Sequence, residues 1–464
     1  MKVKKNQIIE VEIENIAFGG KGLAKLDGYT LFIDQAVPGD LASVRITKKK
    51  KSYAEARVER LIRPSSLRVD APCSYSGHCG GCKWQFLDYK QQTEFKKRHV
   101  EESLQHIGHI HDAVVLDTLP SPKVFGYRNK MEFTCAQRRW LLPEEMETSD
   151  PLQAGSALGL HVPGTFYKVL DIQTCLLQPD LGNRILDDVR QYINTSNLPV
   201  YELRSHVGFW RFVTLRHSVA HDNWMVNLVT TTDNGDVLQP LADALMKKHP
   251  QIVSVVNNIT DSKAGVAVGQ SEICLGGSPF IKDRIGKYEF KISANSFFQT
   301  NTAGAEQLYA IVKKYADLKG HETVLDLYCG TGTIAIYLSD AAQDIIGVEQ
   351  VESAIRDAKH NCRSNGIDNC RFIQGEMRDC LQDMDVSADV MVVDPPRAGM
   401  HKDVVRRVLA MRPEKIIYVS CNPAALARDV AMMSEQYRLE EVQPVDLFPH
   451  TYHVESVSLL TKKS

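Results

Sequence analysis

Residues 6–62 alternate apolar and polar side chains, as in Gln7-Ile8-Ile9-Glu10-Val11-Glu12-Ile13-Glu14, with turn-forming residues at Gly19-Gly20, Asp27-Gly28 and Pro38-Gly39-Asp40. A period of two, broken every few residues by glycine or proline, predicts short strands curled into a small OB-like β-barrel. Pro64-Ser65-Ser66 ends that pattern. Over 87–106 the apolar spacing becomes helical and the surface charged, which predicts one long amphipathic helix. Strand-like runs return between residues 127 and 292, notably 209–217, 224–230 and 252–257, and this stretch reads as mixed α+β. Beyond a helix near 303–318, apolar runs at 323–327, 345–349, 390–394 and 416–420 alternate with helical segments. Such alternation predicts a doubly wound parallel sheet of Rossmann-like type. The chain is therefore expected to be multidomain: a barrel over 1–62, an α+β domain over 63–292 and an α/β domain over 293–464, with the helix near 87–106 able to pack on the last.

A length of 464 residues exceeds what one hydrophobic core usually supports and agrees with several domains. The formal net charge of -2 says nothing about nucleic acid by itself, but residues 45–63 carry eight Lys or Arg against two Glu. That asymmetry points to a polyanion near the N-terminus, the alternative being a solvated basic hairpin. No run approaches the ~20 apolar residues of a membrane span, and Met1-Lys2-Val3-Lys4-Lys5-Asn6-Gln7 leads into no signal-peptide core, so a cytoplasmic protein is expected. In that reducing compartment eleven cysteines do not form a disulfide framework, and metal binding or catalysis must account for some of them.

Cys421 closes the apolar run Ile416-Ile417-Tyr418-Val419 and opens the turn Ser420-Cys421-Asn422-Pro423. A thiol at a strand's carboxyl end, ahead of a helix, is expected to be favoured as thiolate by the helix N-terminus and to act as a nucleophile. For Cys329, Cys362, Cys370 and Cys380 an inert core position is the simpler explanation. Asp394-Pro395-Pro396-Arg397 holds a carboxylate rigidly, since each proline fixes its own φ and restricts its predecessor. Amine methyltransferases place an aromatic residue after the two prolines, so Arg397 counts against amine methylation. Upstream, Gly330 and Gly332 form a strand-to-helix loop after Leu327, and Glu349 follows Gly332 by 17 residues at the next strand end. A glycine loop plus an acid for ribose hydroxyls, without a Walker lysine, fits S-adenosylmethionine better than a phosphate ligand. In Leu447-Phe448-Pro449-His450-Thr451-Tyr452-His453-Val454-Glu455, Glu455 is the candidate base. Taken alone, that acid or either histidine would be a surface residue.

Cys73, Cys79 and Cys82 are separated by five and two residues, with Gly80-Gly81 allowing a tight wrap. Three such thiolates imply metal, zinc or an iron-sulfur cluster, with Cys175 the expected fourth ligand and Cys135 the runner-up. The first spacing is longer than in radical-generating clusters, which favours a closed, structural cluster. Trp84 and Phe86 beside it are either an RNA-stacking surface or packing around the metal.

These features, with Ile16-Ala17-Phe18-Gly19-Gly20-Lys21-Gly22-Leu23-Ala24, Tyr127-Arg128-Asn129-Lys130 and Asn295-Ser296-Phe297-Phe298-Gln299-Thr300-Asn301, make the chain resemble the RNA uracil-5-methyltransferases nearly end to end. The likeness is to the 23S ribosomal RNA branch, which carries a TRAM barrel and an iron-sulfur cluster. It implies S-adenosylmethionine contacts at Gln299, Tyr328, Glu349 and Asp394, a nucleophile at Cys421 and a proton acceptor at Glu455. It also implies a four-iron four-sulfur cluster on Cys73, Cys79, Cys82 and Cys175, and RNA as partner of a monomer. The expected reaction is methyl transfer to carbon 5 of a uridine in 23S ribosomal RNA through a covalent cysteine adduct, on a base taken out of its stack. Two alternatives stand beside it: the same chemistry on transfer RNA, and an RNA-binding protein without catalysis.

Overall fold

The computed structural model describes residues 3–146, 155–384 and 386–463. Six short strands form the first sheet, in the order Ile8–Glu12, Leu41–Lys49, Tyr53–Arg63, Tyr29–Asp34, Gly22–Leu26, Asn15–Ile16. Glu14 N–H donates to Leu23 O, bringing the first strand's exit back against the far edge, and the sheet curls around Val11, Ile13, Leu31, Ile33, Val44 and Ile46. Asp27 (φ 49°) and Gly28 (φ 79°) both take the left-handed conformation that a two-residue hairpin turn demands. Asp40, fully buried, accepts hydrogen bonds from Val37 N–H, Ser65 N–H and the Arg68 guanidinium, and so locks this sheet to the segment that follows.

The predicted helix runs over Tyr89–His106, with Asp88 capping it by accepting from Lys90 and Gln91 N–H. Its Val100 and Leu104 enter the core of the C-terminal sheet, and strand Val114–Val115 joins that sheet's edge beside Tyr437–Val445. Helical spacing thus gave the element, and its apolar face chose the distant C-terminal partner.

A seven-stranded sheet follows, ordered Val169–Asp171, Ala157–His161, Lys130–Ala136, Trp210–Ser218, Asn223–Thr230, Ile252–Ile259, Ser271–Gly277. Helices Asp180–Thr195 and Gly235–Lys248 bury Ile185, Leu186, Val189, Leu238 and Leu241 against it. A hairpin, Phe280–Ile285 with Tyr288–Ser293, leads into helix Thr302–Ala316.

The C-terminal sheet is ordered Cys370–Gln374, Asp344–Glu349, Thr323–Leu327, Val390–Val393, Lys415–Ser420, Glu455–Lys462, Tyr437–Val445, Val114–Val115. Its first five strands are parallel, and Val324, Leu325, Ile346, Val392 and Ile417 are fully buried, as a sheet covered on both faces requires. Glu455–Lys462 then enters antiparallel to Lys415–Ser420, a reversal the expected all-parallel sheet did not contain. No described helix is long and apolar enough to cross a membrane.

Candidate active site

At the carboxyl edge of the parallel strands, Tyr328 follows Thr323–Leu327 with φ 62°, a conformation few side chains adopt without strain. Gly330 (φ 54°) and Gly332 (φ 75°) finish the turn, and a Cβ on Gly332 would come within 2.9 Å of Phe372. Glycine is required there by conformation and by space. The Glu349 carboxylate accepts from Gly330 N–H at 3.2 Å and Val351 N–H at 2.8 Å, which fixes it against the loop.

Beneath the loop lies Asp326, fully buried, with one oxygen accepting from Ala335 N–H at 3.2 Å and the other without a partner among the described residues. Burial, then the nearby Asp394 carboxyl, hold its pKa well above the usual carboxylate range. Asp326 is absent from the residues expected from sequence, although an acid inside the apolar run Val324-Leu325-Asp326-Leu327 was a signal for it.

Ser420 pairs with Ser456 in the last antiparallel register between Lys415–Ser420 and Glu455–Lys462. Cys421 follows Ser420 and Glu455 precedes Ser456, so thiol and carboxyl lie at the same end of this strand pair, where the carboxyl acts on the thiol. Glu455 is 7% exposed, and burial followed by the Asp394 carboxyl pushes its pKa up to about 8, against the opposing pull of Arg397 and Lys96. Asp394, half-buried, is pushed up to about 7 by burial. Tyr309, also buried, feels Asp394, Asp326 and Glu455 together and bonds its hydroxyl to Thr333 Oγ1 at 2.8 Å.

Cys421 departs from its expected activation. Burial and then the Glu455 carboxyl push its thiol up to about 11, with Arg397 pulling only partly the other way. At the helix start Asn422 Oδ1 takes Ala424 N–H at 3.1 Å and Pro423 has no N–H, which leaves few donors there to oppose that burial. Gln299 lies on the loop before helix Thr302–Ala316, where Asn129 Nδ2 donates to Gln299 O and Asn129 N–H to Thr300 O, both at 2.8 Å. Asn129 thus ties the segment Tyr127-Arg128-Asn129-Lys130 to that loop. His450 is 5% exposed rather than a surface residue, stacked on Phe125 with ring centroids 4.3 Å apart.

Cys73, Cys79, Cys82 and Cys175 all line one cavity of about 480 Å³, and Cys135, buried on Lys130–Ala136, does not. Burial pushes Cys79 and Cys82 up to about 12, and each feels the charge of other cysteines in the group. Gly81 N–H donates to Cys79 Sγ and Gln85 Nε2 to Cys82 Sγ. Among the described residues, no three His, Cys, Asp or Glu side chains converge on the position of a single metal ion. Trp84 is fully buried and donates to Gly20 O, so it packs the barrel against this segment and offers no stacking face. Phe86 carries the Arg68 guanidinium over its ring at 5.1 Å.

Residues 278–463 match the tRNA (uracil-5-)-methyltransferase family and residues 2–58 the TRAM domain. An uncharacterized RNA methyltransferase of Chlorobaculum tepidum is 39% identical over 99% of this chain and 97% of its own length. One from Bacteroides thetaiotaomicron is 38% identical over 96% and 99%. The chain belongs to the RNA uracil-5-methyltransferase family. Among solved structures, the Pyrococcus abyssi tRNA (uracil-54, C5)-methyltransferase in complex with S-adenosyl-L-homocysteine is 29% identical, with TM-score 0.75 over 98% of this chain and all of that one. This member is thus an RNA uracil-5-methyltransferase with an N-terminal TRAM domain and a Rossmann-like catalytic fold. The loop at Gly330–Gly332, the braced Glu349 and the Asp326 oxygen without a partner among the described residues lie together at this sheet edge.

Proposed function

We propose that the enzyme methylates carbon 5 of a specific uridine in 23S ribosomal RNA, with Cys421 as nucleophile and Glu455 as proton acceptor. The observation that carries this reading is that Cys421 and Glu455 flank the last paired residues, Ser420 and Ser456, with the Asp394 carboxyl acting on both. S-adenosylmethionine supplies a methyl group on a sulfonium, and Gln299, Tyr328, Glu349 and Asp394 are the residues assigned to hold it.

Carbon 5 of uracil is too weak a nucleophile to take that methyl group unaided. Cys421 Sγ gives up its proton and bonds to carbon 6, which makes carbon 5 the reactive end of an enolate. Asp394, with a pKa pushed to about 7, is a neighbouring carboxylate partly ionised at neutral pH and able to take the thiol's proton. Once carbon 5 is methylated, Glu455 removes its proton, and the bond from carbon 6 to Cys421 breaks to return the thiolate. A carboxyl raised to about 8 is a stronger base than an exposed one, which suits removal of a carbon-bound proton.

For a four-iron four-sulfur cluster the support is that Cys73, Cys79, Cys82 and Cys175 line one cavity, with N–H···S bonds from Gly81 to Cys79 and from Gln85 to Cys82. The four cysteines would hold it as a closed structural centre. Zinc without iron in anaerobically purified protein would remove this reading. The proposed domain limits are 1–62, 63–292 and 293–464.

Transfer RNA is the second reading, because the similar Pyrococcus abyssi enzyme is a tRNA (uracil-54, C5)-methyltransferase. Mass mapping of 5-methyluridine in both RNAs, with and without this gene, separates the two. Loss from 23S RNA alone supports the proposal, and loss from transfer RNA alone replaces the substrate. Cys421→Ala is expected to abolish transfer while S-adenosylmethionine still binds, and normal turnover by that variant would refute the nucleophile. Glu455→Gln is expected to trap an RNA adduct that survives denaturing gels.

A further inference from the structure

We infer that one face of helix Tyr89–His106, formed by Tyr89, Gln92 and Lys96, is the positioning device that sets Glu455 for proton removal. The inference rests on the reading of Glu455 as base. Spacings of three and four put these three polar side chains on one helical stripe. Gln92 and Lys96 are fully buried and hydrogen-bonded, so a helix otherwise free to use apolar residues spends this stripe on polar contacts.

Contacts from all three residues reach the loop that leads to Glu455, while Tyr89 hydroxyl also accepts from Ser121 N–H. Tyr89 hydroxyl donates to Asp446 Oδ2 at 2.9 Å, and Lys96 Nζ donates to Asp446 Oδ1 at 2.5 Å and to Phe448 O at 3.0 Å. Gln92 Oε1 accepts from His450 N–H at 2.8 Å, while its Nε2 donates to Trp84 O and Leu87 O. His450 O in turn accepts from Lys83 N–H and Trp84 N–H, the residues directly after Cys82. His450 has φ 65°, a conformation a histidine keeps only where its surroundings enforce it. The loop is therefore clamped between the cysteine segment and the helix, four residues ahead of strand Glu455–Lys462. Removing a proton from carbon requires the base within hydrogen-bond reach, and a displacement of about 1 Å costs on the order of a hundredfold.

Gln92→Leu and Tyr89→Phe, in full-length protein, test this by separating steps. Tritium release from RNA labelled at carbon 5 reads proton removal, denaturing gels read the covalent adduct, and titration reads S-adenosylmethionine binding. Gln92→Leu is expected to slow tritium release at least tenfold and Tyr89→Phe threefold or more, with methylated adduct accumulating and cofactor affinity and KM for RNA unchanged. Wild-type tritium release in both variants overturns the inference. So does a parallel loss of cofactor binding and adduct, which would mean that the stripe only supports the fold. Glu455→Gln run alongside separates the two readings: if it traps no adduct, the base assignment falls, and if it does while Gln92→Leu does not, only the positioning role falls.

Discussion

At the scale of single residues, the site is governed by burial more than by helix ends. Cys421, Asp394 and Glu455 all have raised pKa values, about 11, 7 and 8, and burial is the first cause in each. Since the acceptor and the thiol both act deprotonated, turnover under saturating substrates is expected to climb between pH 6 and 9, and a flat pH–kcat profile would contradict it. Linkage gives a second check. Glu455 holds its proton more tightly folded than unfolded, so its favourable contribution is full below the ordinary carboxyl pKa of 4.5 and is lost as pH rises through about 8. Glu455→Gln should therefore stabilise the protein by a few kcal/mol at pH 9 and by little at pH 4, as melting curves at the two pH values would show. That Cys421 and Glu455 lie at strand ends was legible, because apolar runs and turn residues are sequence properties. The expected lowering of the Cys421 thiol is reversed, first by burial and then by the Glu455 carboxyl, both of which depend on the fold around it.

At the scale of elements, the loop after Thr323–Leu327 and the Lys96–Asp446 pair are the stiff parts. Gly332→Ala places a Cβ against Phe372 in a backbone with φ 75°, and it should weaken S-adenosylmethionine binding at least tenfold by calorimetry. Lys96 and Asp446 have fully buried side chains in a single ion pair. Lys96→Met leaves the carboxylate uncompensated and is expected to cost about 3–5 kcal/mol in denaturant unfolding, with most of the loss recovered when Asp446→Leu is added. The pattern of alternation gave nearly all strands of the parallel sheet. It did not reveal that Glu455–Lys462 turns antiparallel, because a buried strand reads the same in either direction.

At the scale of the whole molecule, helix Tyr89–His106 packs Phe95 toward the TRAM domain and Val100 and Leu104 into the catalytic sheet. Lys49, Lys50 and Lys51 are exposed at the end of Leu41–Lys49 and beyond it. Replacing all three by Gln should lower RNA affinity and flatten its salt dependence by about 0.7 per lost phosphate contact, with S-adenosylmethionine binding unchanged. The sequence alone determined the order of elements, the glycine loop, the strand-end thiol and acid, and the grouping of Cys73, Cys79 and Cys82, because period, turn chemistry and short spacing are local properties. Only the tertiary structure decided that Cys175 rather than Cys135 lines the cavity, that Trp84 is buried, and that Gln92 and Lys96 brace a loop more than three hundred residues away. Those outcomes depend on which buried surfaces meet and which polar groups then need partners, and no local pattern along the chain encodes that.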